Sequence, residues 1–157
     1  QNQQENHSQN RKEKSMTTIM EISGATDNIN YTRPNDAGMD LKALEATTIT
    51  AHARTLVHTG VYAAIPANHV GLICPRSGLA LNQGITVLNA PGIIDPDYRG
   101  EIGVILHNTT DTAIRINKGD RIAQLVITPC AYVITRPVPY LDAGTERGTQ
   151  GFGSSGK

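Results

Sequence analysis

Glu101-Ile102-Gly103-Val104-Ile105-Leu106-His107 decides the fold. Ile102, Val104 and Leu106 alternate with Glu101, Gly103 and His107, and Ile105 is an apolar extra. Period-two alternation is the mark of a strand with one buried face. Downstream, Asn108-Thr109-Thr110-Asp111 supplies turn chemistry, Ile114 and Ile116 flank Arg115 in the same rhythm, and Lys118-Gly119-Asp120 turns again. Further strands are predicted at Thr17–Ile22, Met39–Leu44, Thr55–Ile65, Val70–Cys74, Ile85–Leu88, Arg121–Ile127 and Ala131–Thr135. No window sustains a 3.6-residue apolar period. A turn or two of helix is predicted around Ser77–Asn82, with Ser77 as its cap. Short strands broken by Gly and Pro turns spell an all-β sandwich or barrel of jelly-roll type.

The composition narrows the class. The 157 residues suit one domain, and Lys plus Arg (14) balances Asp plus Glu (14). Zero net charge argues against nucleic acid as a partner, because phosphate binding needs a basic excess. Only 38% of residues are hydrophobic and 4% aromatic, with no Trp and one Phe, so the core must be aliphatic. No apolar run reaches the length of a membrane helix, so no membrane association is expected. Residues 1–15 carry no apolar side chain and are expected to be disordered, as an extension before the domain at 16–142. A Gly- and Ser-rich arm, 143–157, closes the chain. The two cysteines, Cys74 and Cys130, lie among apolar neighbours and read as buried reduced thiols; with no secretory segment, a cytoplasmic location follows by default. The five histidines show no metal-ligand spacing.

Five segments interrupt the strand pattern with small and charged residues: Ala37-Gly38-Met39-Asp40-Leu41, Pro75 through Ala80, Asn89 through Gly103, Gly119 through Leu125, and Arg147 through Ser155. In the second, Arg76 offers a planar fork of donors for phosphate, Ser77 a hydroxyl, and Gly78 close backbone approach. The same three residues also fit a plain turn with a surface arginine. In the third, Asp95 follows Ile93 and Ile94 at the edge of an apolar stretch, where a carboxylate needs a reason to be. A hairpin with solvated acids is the simpler alternative. Gln124 inside Ile122-Ala123-Gln124-Leu125 must find hydrogen-bond partners, and Asp40 stands in similar company. Phe152, alone in a polar glycine-rich arm, is odd as packing and sensible as a lid over something flat.

Taken in order, the five segments resemble the five motifs of the homotrimeric deoxyuridine triphosphatases (dUTPases), from about Ala37 to Ser155. The resemblance implies a distorted jelly roll of the dUTPase-like β-clip kind. It implies a homotrimer whose active sites are each built from three subunits. The first, second and fourth segments would come from one chain, the third from a second chain and the arm from the third. The reaction would convert dUTP and water to dUMP and pyrophosphate, limiting uracil in DNA and supplying dUMP. On this pattern Asp95 is the general base for water attacking the α-phosphorus, since an aspartate is ionised at neutral pH and can take that proton. Asp40 would hold Mg2+ through its waters, the triphosphate binding the ion directly. Arg76, Ser77, Gly78 and Gln124 would line the phosphate chain, and Arg147, Gly153 and Ser154 would clamp its γ end. Asn89, Gly92, Ile93, Ile94 and Gly103 would cup the uracil, Tyr98 would pack under the deoxyribose, and Phe152 would stack over the base.

Two other readings share some of these features. The dCTP deaminases of the same fold carry a catalytic Glu on the strand that here reads Gly103-Val104-Ile105-Leu106-His107, which has no acid. A regulatory protein that only binds dUTP would have no need of Asp95, Arg76 and Arg147, yet all are present.

Overall fold

A computed structural model describes residues 17–151. Its strands are β1 (Glu21–Gly24), β2 (Ile29–Asn30), β3 (Met39–Lys42), β4 (Thr47–Ile49), β5 (Arg54–Ala64), β6 (His69–Cys74), β7 (Ile85–Val87), β8 (Gly92–Ile94), β9 (Glu101–Asn108), β10 (Ile114–Ile116) and β11 (Arg121–Pro129). One α-helix, α1 (Ser77–Gln83), and a short 3-10 turn at Thr26–Asn28 interrupt them among the described residues. One sheet runs β1-β5-β9-β7, a second β2-β3-β11-β6-β8, and β10 pairs with β4. Every one of these pairings is antiparallel. This is a distorted jelly roll.

β9 forms because its alternation is real. Ile102, Val104 and Leu106 are buried, while Glu101, Gly103, Ile105 and His107 face the other side, half-covered. Its inward residues meet Val57 and Val61 of β5, Leu41 of β3 and Leu125 of β11 in one cluster. Each such aliphatic side chain contributes on the order of 1.5–3 kcal/mol by leaving water. The described core is wholly Ile, Leu, Val and Ala, as the scarcity of aromatics requires. Buried Asn108 is satisfied: its amide donates to Thr112 O at 2.8 Å and Ile49 O at 3.1 Å, and Oδ1 accepts from Thr110 N at 2.9 Å. It ties the turn after β9 to β4.

Several expectations change. The first strand forms at Glu21–Gly24, later than Thr17–Ile22, and Ala131–Thr135 forms none. Among the described residues that stretch has no neighbouring strand to satisfy its backbone. Asn89–Gly103 is not a hairpin: β8 pairs with β6 in one sheet, whereas β9 pairs with β5 and β7 in the other. The segment is a bridge between the two sheets. Cys130 is exposed and Cys74 only half-buried, because β11 ends at Pro129 and leaves Cys130 outside; both are free. No described helix is long and apolar enough to cross a membrane. The expected disorder of residues 1–15 concerns positions outside the described residues.

Candidate active site

Three adjacent strands build a polar cleft. Across β3, β11 and β6, Asp40 stands opposite Gln124, and Gln124 opposite Cys74. Gln124 Nε2 donates to the Pro75 carbonyl at 3.0 Å, which answers the need of an amide in an apolar strand. Gly38 makes room for it, since an added Cβ would lie 2.6 Å from Gln124 Oε1.

Asp40 is the anchor, with its side chain 13% exposed. Its Oδ1 pairs with Arg76 Nε at 3.1 Å, and its Oδ2 accepts from Thr32 Oγ1 at 2.5 Å and Arg121 Nη1 at 3.4 Å. Arg76 also donates from Nη1 to the Arg121 carbonyl at 3.1 Å. Both guanidinium groups are thus held before any anion arrives. The cleft, about 450 Å³, is lined by Arg33, Arg76 and Arg121 against Asp36 and Asp40, a net positive wall. Ser77, Gly78 and Gln124 complete it. Such a site favours an oxyanion chain by charge and by fixed donors.

Ser77 is the first residue of α1, and Arg76, with extended backbone, occupies the cap position. No side chain caps the helix, which corrects the reading of Ser77 as cap. The helix starts one residue earlier than that reading requires, because Ala80 N–H already bonds the Arg76 carbonyl at 3.0 Å. The Ser77 hydroxyl stays exposed on the cleft, and no described residue fills the space beside Gly78.

The sequence pattern missed Arg121, Thr32, Arg33 and Asp36. Arg121 and Gln124 are three apart and would face opposite ways on a regular strand. A bulge corrects the phase: β11 advances from Arg121 to Ala123 while β3 moves only from Lys42 to Leu41. Two successive buried residues, Ile122 and Ala123, are its visible trace. Thr32, Arg33 and Asp36 lie on the loop between β2 and β3, where no periodicity marks them.

The remaining predicted residues lie elsewhere. Asp95 is exposed on the bridge, its carbonyl accepting from Tyr98 N at 3.2 Å, and it does not line the cleft. Gly92 is buried against Ile73, with the Asn89 amide alongside, while Ile93 is exposed and Ile94 half-buried. Tyr98 is 42% exposed and donates its hydroxyl to the Glu101 carbonyl at 2.8 Å. Gly103 pairs with His58 on β5. Arg147 is exposed, its Nε donating to Gln150 O at 3.0 Å. Phe152, Gly153 and Ser154 lie outside the described residues. The structure therefore gathers Asp40, Arg76, Ser77, Gly78 and Gln124, and keeps Asn89, Asp95, Tyr98 and Arg147 apart from them.

No group of three or more His, Cys, Asp or Glu among the described residues is set to hold a metal ion. Magnesium asks for less, since it keeps several waters and takes one or two carboxylates with phosphate oxygens. Asp40 fits that mode. Both its oxygens already accept protein donors, so its residual lone pairs suit contact through water.

A family model for the dUTPases matches residues 25–156. The deoxyuridine 5'-triphosphate nucleotidohydrolase of Picosynechococcus sp. is 48% identical over 126 residues, covering 80% of this chain and 88% of that protein. That of Rhodococcus erythropolis is 51% identical over 124 residues, 78% of this chain and 75% of that one. Among solved structures, the dUTPase of Staphylococcus bacteriophage 80alpha with dUPNHPP superposes with a TM-score of 0.82 at 27% identity. That match covers 90% of this chain and 100% of the phage chain.

Proposed function

The chain belongs to the dUTPase family, and from that premise we propose how its own residues hydrolyse dUTP to dUMP and pyrophosphate. The triphosphate lies in the cleft of Arg76, Ser77, Gly78, Arg121 and Gln124, where the prearranged guanidinium groups offset charge that grows as the bond breaks. Asp95 orients a water and takes its proton as the water oxygen bonds to the α-phosphorus. The bond from that phosphorus to the bridging oxygen breaks, and pyrophosphate leaves. Asp40 would hold a magnesium ion through water, and the ion would supply electrostatic stabilisation of the phosphate oxygens. Asn89 and the backbone at Gly92 and Gly103, flanked by Ile93 and Ile94, read the uracil; Tyr98 supports the deoxyribose. Arg147, with Phe152, Gly153 and Ser154, closes over the bound nucleotide as part of an arm, 143–157.

The observation that carries this reading is the separation of Asp95 from the cleft within one chain. A base that does not line its own phosphate site supports a homotrimer in which neighbouring chains complete each site. The course of the chain beyond β11 supports the same assembly. Tyr132, Ile134, Tyr140 and Leu141 are each more than 80% exposed, an apolar run left uncovered by the described residues. We place the enzyme in the cytosol, where free thiols such as exposed Cys130 persist.

Subunit mixing tests the proposal. Asp95→Asn and Arg76→Ala homotrimers should each lose nearly all turnover. Refolded together in equal amounts, they should regain about one quarter of wild-type activity, because random assembly pairs an intact base with an intact cleft in that share of sites. No recovery from the mixed trimers would mean that each site draws on a single chain.

A further inference from the structure

Glu101 holds more of the bridge than its place at the start of β9 requires. Opposite it, β5 is irregular: β5 advances from His58 to Tyr62 while β9 moves only from Gly103 to Glu101. Gly60, at φ +69°, sits in this bulge, and its N–H is turned out of the strand ladder. The Glu101 carboxylate takes the ladder's place. Oε1 accepts from Gly60 N at 2.7 Å, and Oε2 meets His58 Nδ1 at 2.9 Å. Thr59 Oγ1 donates to the next carbonyl along, that of Ile102, at 2.5 Å. The main chain of Glu101 is therefore pinned from β5, and its own carbonyl accepts the Tyr98 hydroxyl at 2.8 Å.

We infer that Glu101 is a positioning residue for sugar selection, its carboxylate fixing the carbonyl that holds Tyr98 in place. This rests on Tyr98 being the deoxyribose support proposed above. A support excludes a 2′-hydroxyl only if it does not yield. Tyr98 is 42% exposed; one side of its ring rests on Gly100, which has no side chain to grip it, and the other side is open. The hydroxyl bond to Glu101 supplies the restraint, and the two acceptors of the Glu101 carboxylate transmit it from the bulge of β5. His58 is exposed and assists; the Gly60 N–H is the partner that any acceptor at 101 must reach.

The test compares kcat and KM for dUTP and UTP across four variants. Glu101→Ala should lower the preference for dUTP over UTP about tenfold, the change appearing chiefly in KM, because a lost restraint loosens binding more than it alters the reacting groups. Glu101→Gln keeps an oxygen for Gly60 N–H and should restore most of the preference. Tyr98→Phe removes only the hydroxyl bond and should reproduce the loss even if Glu101→Ala does not fold. A wild-type preference in Tyr98→Phe, or in folded Glu101→Ala with only its thermal stability lowered, overturns the inference. Tyr98→Ala separates the two claims. If it leaves sugar preference intact, the support role of Tyr98 itself falls; if it alone abolishes preference, only the role of Glu101 falls.

Discussion

The cleft and the chain beyond β11 are opposites. In the cleft, the carboxylate of Asp40, both arginines beside it and the Gln124 amide find partners inside the same chain. Beyond Pro129, apolar side chains such as Tyr132 and Ile134 face outward, and Arg147 reaches no farther than Gln150. The difference teaches how the work is divided. Donors for a phosphate chain are useful when they cost no reorganisation, so they are fixed in advance by the sheet. A segment proposed to cover a ligand is useful when it can yield, and the described part of the arm bonds within its own short turns.

The sharpest way to break this comparison is to delete everything after Leu141. Turnover should fall on the order of 100-fold, because closure contributes orientation and not cleft geometry. The melting temperature should stay at the wild-type value. Full turnover from the truncated protein, read by pyrophosphate release, would remove the arm from the mechanism.

Gly38→Ala attacks the other region. The new Cβ needs space held by Gln124, and overpacking of this kind costs about 1–3 kcal/mol. A fall of about tenfold in kcat/KM should accompany the lower melting temperature if Gln124 works where it is held. Lost stability with unchanged kinetics would show that the amide is structural alone.

The smallest effect concerns acid. Burial pushes the Glu101 carboxyl up, but hydrogen bonds from His58 and Gly60, the charge of His58 and a bond from the Thr59 backbone outweigh it and hold the group below its ordinary value. A lowered pKa in the folded state adds stability above the ordinary carboxylate range and loses it as pH falls through the lowered value. The stability gap between wild type and Glu101→Gln should therefore be widest near neutral pH and shrink as pH drops below about 4. Melting curves across that interval check it, and a constant gap would assign the carboxylate no electrostatic role.

Legibility in the sequence followed periodicity. β9 was readable because its alternation from Ile102 to Leu106 is interrupted only by Ile105, and the aliphatic core followed from the near absence of aromatics. Asp40, Arg76 and Gln124 were readable because a polar side chain in an apolar strand or tight turn demands a purpose. Arg121 was hidden by the bulge beside it, and Thr32, Arg33 and Asp36 by a loop without a period. The bridge from Asn89 to Gly103 reads as a hairpin locally, since nothing in its turn residues reports that its two strands join different sheets. Ala131–Thr135 has the residues of a strand and lacks a neighbour; propensity describes a segment, whereas pairing belongs to the whole arrangement.

The irregularity at Ile122 has a consequence for change by insertion and deletion. It acts as a phase shifter in β11: the segment before it and the segment after it read the two faces in opposite order. Loss of the Ile122 codon would join the two halves in plain alternation, with Arg121 still outward and Leu125 still inward, at the cost of one buried side chain. A single-residue deletion farther along β11 should be harsher, because it exchanges the inward and outward residues of the rest of the strand at one stroke.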